Sequence, residues 1–438
     1  MTEVAHPGGE VDVSKHVLRG SVWFIAAIGL GAVGGFAFWW LAARLQPATI
    51  VGQASALFTV ILFISYLTSL GLPVAVAKYG SLDHQVTHTL WSWALVFTTA
   101  SSLIGALGFL WVAPTDLTQD LGSFGSWGFL AQLLFLFTMV NGMALALLVE
   151  TRLVTLRAWG WMVGRVALLA IGRLPLLLVA PLASSAVGLV LLMAGAPALT
   201  GLVGVVALHY VTPQPLRQMR PLTEHARPAF RFATVNWLGM LAAQAPQFTV
   251  PLIIAAQVSS VENAAFYLAW SMTTVTFLVP QTVGQVVVSE GSRKGGTLDH
   301  KVRSGFMIAL GAMTVLALGA VVFSPLATTI FGPSYELTGE ILPALIGAGI
   351  PWAITALLLA RARVLAQTGL TVAITVTFAV LGLGFVTVAA ARSGLQGAAW
   401  GWLIANVLAA IAATCFTLVS HRRVKELPAE VLLPFDVA

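Results

Sequence analysis

Two arginines stand eight residues apart in the run WMVGRVALLAIGRLPLLL (161–178), which carries no other ionisable side chain. On a helix that spacing sets Arg165 and Arg173 about 80° apart, so both can face one cavity. A guanidinium keeps its charge and presents paired N–H donors that fit phosphate oxygens, so the pair suits attraction of an anionic headgroup. Two other readings stand beside it. Arg165 can reach the inner membrane interface along its aliphatic stem, and Arg173 can pair with backbone carbonyls. Gly172 and Pro175 flank Arg173 and bend its helix locally.

A second set is polar but uncharged. Asn236, Gln244, Gln247, Tyr267, Ser271, Gln281 and Gln285 crowd one stretch, and Asn141 and Asn406 join from elsewhere in the chain. Singly, such groups tie helices together. Together they describe one wet wall for a substrate, next to Pro246 and Pro280, where broken helices expose backbone. A third set marks a corner at ARLQPATIVG, where Arg44 ends an apolar run ahead of Pro47 and Gly52. The Arg44 charge faces the negative end of its helix, Pro47 forbids continuation, and Gly52 starts the return. A headgroup contact is the second reading of Arg44.

Several chemistries lack support. The chain has no GxxxxGK[ST], HExxH or GxSxG pattern, which removes the usual signals of nucleotide hydrolysis and hydrolase catalysis. Asp116 and Asp120 read as solvated loop charges. Cys415 is the one cysteine, so no intrachain disulfide forms and no cysteine-type zinc site exists. No catalytic residue, metal or other cofactor is expected.

The elements that position these groups follow from composition. Hydrophobic residues make up 58% of the 438 residues and charged residues only 9%; a soluble domain carries roughly a quarter charged. Apolar runs long enough to cross a bilayer recur throughout. The fold class is an all-α polytopic membrane protein. Twelve spans fit, at about 20–43, 51–77, 89–113, 125–149, 161–183, 186–209, 231–257, 264–289, 304–325, 340–360, 365–390 and 396–419. The first run is too long for a signal-peptide core and reads as an uncleaved span.

Charge fixes the orientation. Lys15, Arg19, Lys78, Arg152, Arg157, Arg217, Arg220, Arg227, Arg231, Arg293, Lys294, Lys301, Arg303, Arg361, Arg363, Arg422, Arg423 and Lys425 all fall in alternate connections. That bias puts both termini in the cytoplasm. It also explains the net charge of +6 without invoking nucleic acid. Tryptophans near the span ends, including Trp39, Trp40, Trp91, Trp111 and Trp161, read as interfacial belts.

A weak internal repeat appears at a shift of 213 residues, which lays the stretch from Leu41 on the stretch from Ile254 and Gly71 on Gly284. Six spans plus six in parallel orientation put the transport pathway between the halves. The organisation is then a cytoplasmic tail (1–19), an N-terminal six-helix bundle (20–210), a basic cytoplasmic linker (211–230), a C-terminal six-helix bundle (231–420) and a cytoplasmic tail (421–438).

The opening GSVWFIAAIGLGAVGGFAFWWLAARLQPATIVGQASALFTVILFISYLTSLGLPVAVAKYG (20–80) resembles the start of polysaccharide-biosynthesis flippases. These belong to the multidrug/oligosaccharidyl-lipid/polysaccharide (MOP) exporter superfamily. Gly20-Ser21-x-Trp23, Ala43-Arg44-Leu45-x-Pro47 with Gly52, and Leu70-Gly71-Leu72-Pro73 carry the resemblance. The detailed match covers about 60 residues, and two six-helix bundles extend it in architecture over the chain. The resemblance implies a MATE-like fold in the inner (plasma) membrane and export of a lipid-linked oligosaccharide of polyprenyl pyrophosphate type by alternating access. Partners would be that lipid, the bilayer and glycan-assembly enzymes. The first span has no charge between Arg19 and Arg44, unlike some lipid II flippases of the superfamily. The alternatives are a cation-coupled multidrug antiporter of the same superfamily, a noncatalytic membrane scaffold for glycan assembly and, more weakly, an integral glycosyltransferase.

The orientation is testable in intact cells. In a Cys415→Ala background, a cysteine in place of Gln214 should resist an impermeant thiol reagent, and one in place of Thr118 should label. The reverse pattern would overturn the orientation.

Overall fold

The computed structural model describes residues 8–79, 84–112, 128–156, 158–179, 184–211, 226–291, 298–365 and 367–426. Asp116, Asp120, Arg157, Arg217, Arg220, Arg293 and Lys294 lie outside the described residues, as do most of the expected linker and much of both tails. The described chain is helical, with no strand. It forms two compact units, Met1–Met240 and Leu241–Ala438. Among the described residues, eight helices are long and apolar enough to cross a membrane, or nine with a bent pair within 229–257 taken as one span. The chain is a multi-pass membrane protein. Helix is the required form because lipid offers backbone groups no hydrogen bonds.

In the first unit the order is α1 (Gly8–Leu45), α2 (Ala48–Thr68), α3 (Leu72–Tyr79), α4 (His84–Val112), α5 (Gly128–Thr155), α6 (Trp159–Val179), α7 (Ala186–Val190) and α8 (Ala196–Val211). A π-helical turn, Leu191–Gly195, joins α7 to α8. Small residues let the helices close on one another, as in bilayers generally. Gly34 of α1 lies against Ala170 of α6, and Gly201 of α8 against the Gly142 carbonyl and the Ala146 backbone of α5. Hydroxyls tie α2 to its neighbours: Ser65 Oγ lies 3.2 Å from the Val140 carbonyl, and Ser101 Oγ donates to the Thr68 carbonyl at 2.6 Å.

The second span, read from sequence as one helix, is broken. Leu70 (φ 51°) and Gly71 (φ 67°) adopt left-handed backbone between α2 and α3. Gly71 lies against the Ala233 carbonyl and Trp237, where a Cβ would collide. The break frees the Leu67 carbonyl, which accepts a hydrogen bond from Trp237 Nε1 at 3.1 Å. The Leu70-Gly71-Leu72-Pro73 motif is thus a helix break with its own side-chain cap.

Helix α9 (Ala226–Gln257) begins in the first unit and continues into the second. There follow α10 (Ser260–Gly291), α11 (Leu298–Phe323), α12 (Ala327–Phe331), α13 (Glu336–Gly347), α14 (Gly349–Val364) and α15 (Thr368–Glu426). Non-helical Ser393 and Gly394 divide α15, between the two spans expected there. The corners of the two halves correspond to within one residue of the sequence shift: helices end at Leu45 and Gln257, and the next begin at Ala48 and Ser260. The chemistry of the two corners differs. Pro47 starts α2, whereas Ser259 and Glu262 form a capping box, with Ser259 N–H donating to Glu262 Oε2 at 2.9 Å and Glu262 N–H to Ser259 Oγ at 3.3 Å. Register is lost at the next feature, since Gly284 sits inside the helix α10 while Gly71 marks a break.

Two expectations need correction. Gly52 does not start the return helix; it is buried one turn inside α2, where its carbonyl accepts from Ser55 Oγ at 2.9 Å. Trp39 is not a belt residue but 1% exposed, packed between Phe38 and Phe58, and Trp91 is likewise core. Trp111 and Trp161 do stand exposed.

The α5–α8 contact is testable by overpacking. Gly201→Ala should lower the thermal transition of purified protein, costing about 1–3 kcal/mol, while Gly311→Ala, which meets open space, should be neutral or slightly stabilising.

Candidate functional site

The C-terminal unit holds a narrow cleft of about 50 Å³ whose wall combines five aromatic rings with three glutamines. Gln244 and Gln247 come from α9 and Gln281 from α10, one turn beyond Phe277. The spacing of 244 and 247 places both amides on one face of α9. Trp270 and Phe277 come from α10, Trp352 from α14, and Phe378 and Trp402 from the two halves of α15. The rings pack on one another: Trp352–Phe378 at 4.7 Å, Trp270–Trp402 at 5.1 Å and Phe277–Trp352 at 6.0 Å, the last nearly parallel. Two glycines make room for them. Gly349 lies against Phe277 and Met313, and a Cβ on Gly382 would come within 3.2 Å of the Trp402 ring.

Among the described residues, no ionisable side chain lines the cleft. The hydroxyls of Thr273 and Thr274 are committed to carbonyls of their own helix, each at 2.8 Å. The three glutamine amides have no hydrogen bond among the described residues. What the cleft offers is therefore ring surface plus neutral groups that both donate and accept.

The arginines lie in the other unit and are engaged separately. Arg165 Nη2 meets Glu150 Oε2 at 2.9 Å, and Nη1 lies 3.4 Å from Thr200 Oγ1. Arg173 is 6% exposed. Its Nη1 lies 2.9 Å from the Met193 sulfur and 3.5 Å from the Met193 carbonyl, and its guanidinium sits 6.0 Å from the centre of the Phe38 ring. Met193 belongs to the π turn, whose wider hydrogen-bond spacing loosens backbone carbonyls for such contacts. The pairing of Arg173 with backbone, one of the two sequence readings, is what this structure contains. Neither guanidinium is among the described residues lining the cleft of the C-terminal unit or the cavity beside the α2–α3 break. A largely apolar cavity of about 420 Å³ does open in this unit, lined by Tyr66, Gly71, Pro73, Leu147, Glu150 and Trp237 among others, beside the α2–α3 break.

No family profile matches the sequence, and no curated protein is similar enough to count as a relative. Solved structures do match. A multidrug resistance MATE family transporter of the MOP superfamily, in an inward-facing conformation, superposes with a TM-score of 0.69 at 16% identity, over 92% of this chain and 99% of that one. The lipid II flippase MurJ, inward closed, gives 0.70 at 14% identity, over 93% and 88%. A MOP superfamily transporter from Pyrococcus furiosus, whose structure was described for the reverse polarity of its binding pocket, gives 0.57 at 15%, over 94% and 97%.

The chain has the MOP transporter fold.

Within that fold, the remaining polar residues named from sequence divide into three groups, apart from Asn141, which is buried in α5 with no partner for its Oδ1 among the described residues. Gln244, Gln247 and Gln281 share the cleft, and Tyr267 is buried one turn from Trp270. Asn236, Ser271 and Asn406 bond carbonyls of their own helices, at Phe232, Leu268 and Trp402. Gln285 is exposed, as is Arg44 in the last turn of α1. The aromatic residues of the cleft were not singled out by sequence. The available signal was Trp352, a tryptophan placed well inside a span, where interfacial anchoring does not account for it. Among the described residues, no group of three or more His, Cys, Asp or Glu side chains is placed to hold a metal ion.

The Arg165–Glu150 pair yields a cycle to measure. Arg165→Ala leaves a partly buried carboxylate without its partner and should lower the thermal transition markedly. Arg165→Ala/Glu150→Ala should recover part of the loss, giving a coupling energy of about 0.5–3 kcal/mol. Additive losses would mean the pair is not coupled.

Proposed function

We propose that the protein exports a lipid-linked oligosaccharide across the membrane by alternating access, without enzymatic chemistry. The observation that carries this reading is the wall of the C-terminal cleft, where the described lining residues are glutamines, threonines, aromatic rings and small apolar groups, with no carboxylate among them. An exporter of organic cations gains from buried carboxylates, which supply both affinity and a coupling proton; a glycan needs amides and ring faces instead. The motifs of residues 20–80 support the same assignment, as does the resemblance of the fold to a lipid II flippase. The buried guanidinium of Arg173 fits an anionic cargo better than a cationic one. A neighbouring transporter described for its reversed pocket polarity is a precedent for different cargo on this fold.

A second reading, the multidrug antiporter, is favoured by the aromatic rings themselves, since ring faces also attract cations, and by the fold of the MATE transporters. One assay separates them. Purified protein in proteoliposomes should move a fluorescent polyprenyl-pyrophosphate oligosaccharide to the opposite leaflet, where a reducing quencher reaches it. Ethidium uptake under a proton or sodium gradient should stay at the level of protein-free vesicles. Arg173→Ala should slow glycolipid movement more than tenfold and Arg173→Lys less so, with Cys415→Ala at the wild-type rate. Gradient-driven ethidium uptake with no glycolipid movement would replace the first reading with the second.

A further inference from the structure

We infer that the C-terminal cleft is a saccharide subsite, one that holds an uncharged sugar of the cargo by way of the indole N–H groups of Trp352 and Trp402. The inference rests on the reading of the chain as a glycan exporter and names the part of the cargo this unit contacts. Trp352 is 9% exposed and Trp402 3%. The Nε1 atoms of both are buried, and neither has a hydrogen-bond acceptor among the described residues. Folded proteins rarely leave such donors unmet, because the lost water bonds are not replaced; other buried atoms here, such as Ser92 Oγ and Tyr335 Oη, share that condition, and the two indoles differ in belonging to residues that line one cleft. Both side chains line the same cleft as the amides of Gln244, Gln247 and Gln281.

Two buried donors on residues that line one cleft restrict what can fill it once the wall parts and the N–H groups are reached. An organic cation would meet the rings but brings no acceptor of comparable strength, and its own charge would repel the N–H dipoles. A hydrocarbon chain brings no acceptor at all. A phosphate would accept the bonds, yet no Lys, Arg or His is among the described residues that line the cleft, and an unbalanced buried anion is costly. A pyranose carries hydroxyl, ring or acetamido oxygens that accept from the indoles. Its hydroxyls also donate to the amide oxygens, and its C–H face packs on aromatic carbon. The cleft is narrow in this structure, about 50 Å³, so a pyranose enters only when the wall parts.

The test reads the two indoles directly. Full-length protein labelled with nitrogen-15 tryptophan is placed in nanodiscs, and indole signals are assigned with Trp352→Phe and Trp402→Phe. A neutral hexose tetrasaccharide, an N-acetylhexosamine tetrasaccharide, inorganic pyrophosphate and tetraphenylphosphonium are then titrated separately. Either saccharide should shift both indole signals downfield, and Gln244→Leu or Gln281→Leu should weaken that binding about tenfold. Pyrophosphate and tetraphenylphosphonium should leave the two signals in place. Indoles that stay unmoved by both saccharides to saturation of their solubility, or that respond instead to the cation, overturn the subsite. If the phenylalanine variants do not fold, a diazirine-bearing tetrasaccharide photolysed on wild-type protein decides the matter: adducts on the Trp352 or Trp402 peptide support the subsite, and adducts elsewhere overturn it. Glycolipid transport with silent indoles would refute the subsite and leave the exporter intact; responsive indoles without glycolipid transport would do the opposite.

Discussion

In a bilayer a polar group without a partner has no water to fall back on, and this constraint organises the whole chain. Many hydroxyls of the spans, and the amide nitrogens of Asn236 and Asn406, answer it locally by bonding a carbonyl one turn back, as Thr59 and Thr273 do. Where a helix breaks, a neighbour must supply what the ladder has lost. Trp237 does so for the Leu67 carbonyl at the α2–α3 break, and Ser324 Oγ, 2.7 Å from the Gly339 carbonyl, ties the turns after α11 to α13. Against that background, groups left unanswered stand out. The indoles of Trp352 and Trp402 and the amides beside them are such groups, and they converge on one cleft.

Charge obeys the same constraint in a harsher form, because an isolated ion in hydrocarbon costs more than an isolated dipole. Arg165 meets it with a carboxylate, Glu150, at the far end of the preceding helix. Arg173 meets it with a carbonyl, a thioether and a ring, none of them charged. Such an environment holds the cation in place without neutralising it. The π turn at Leu191–Gly195 is part of that arrangement, since a regular α-helix would commit the Met193 carbonyl to its own ladder.

The two units solve the packing problem differently. In the first, glycine and alanine faces bring α1 to α6 and α5 to α8 at close range. In the second, bulky rings from four helices fill the centre, and glycines appear where a ring needs space rather than where two backbones touch. Small-on-small packing gives tight, dry contacts with little volume to rearrange. Ring packing leaves irregular gaps, which is why the cleft with free amides lies in the second unit.

The sequence by itself determined the helical class, the multi-pass character and the corner at Pro47. Those depend on local quantities: run length, the missing proline N–H and the near absence of charge. It also pointed to Gln244, Gln247 and Gln281, because polar side chains inside apolar runs are conspicuous one by one. Only the tertiary structure decided the rest. Glu150 and Arg165 lie fifteen residues apart on different helices, and their pairing depends on how α5 and α6 are laid together. Trp270, Trp352 and Trp402 belong to three helices, and nothing local distinguishes a core tryptophan from one whose N–H awaits a ligand. The Leu70–Gly71 break hides inside an apolar run of ordinary composition, because what requires a glycine there is the approach of Ala233 and Trp237 from more than 150 residues away. Partnership in space, rather than residue type, separates the polar groups that merely close helices from those left open to a cargo.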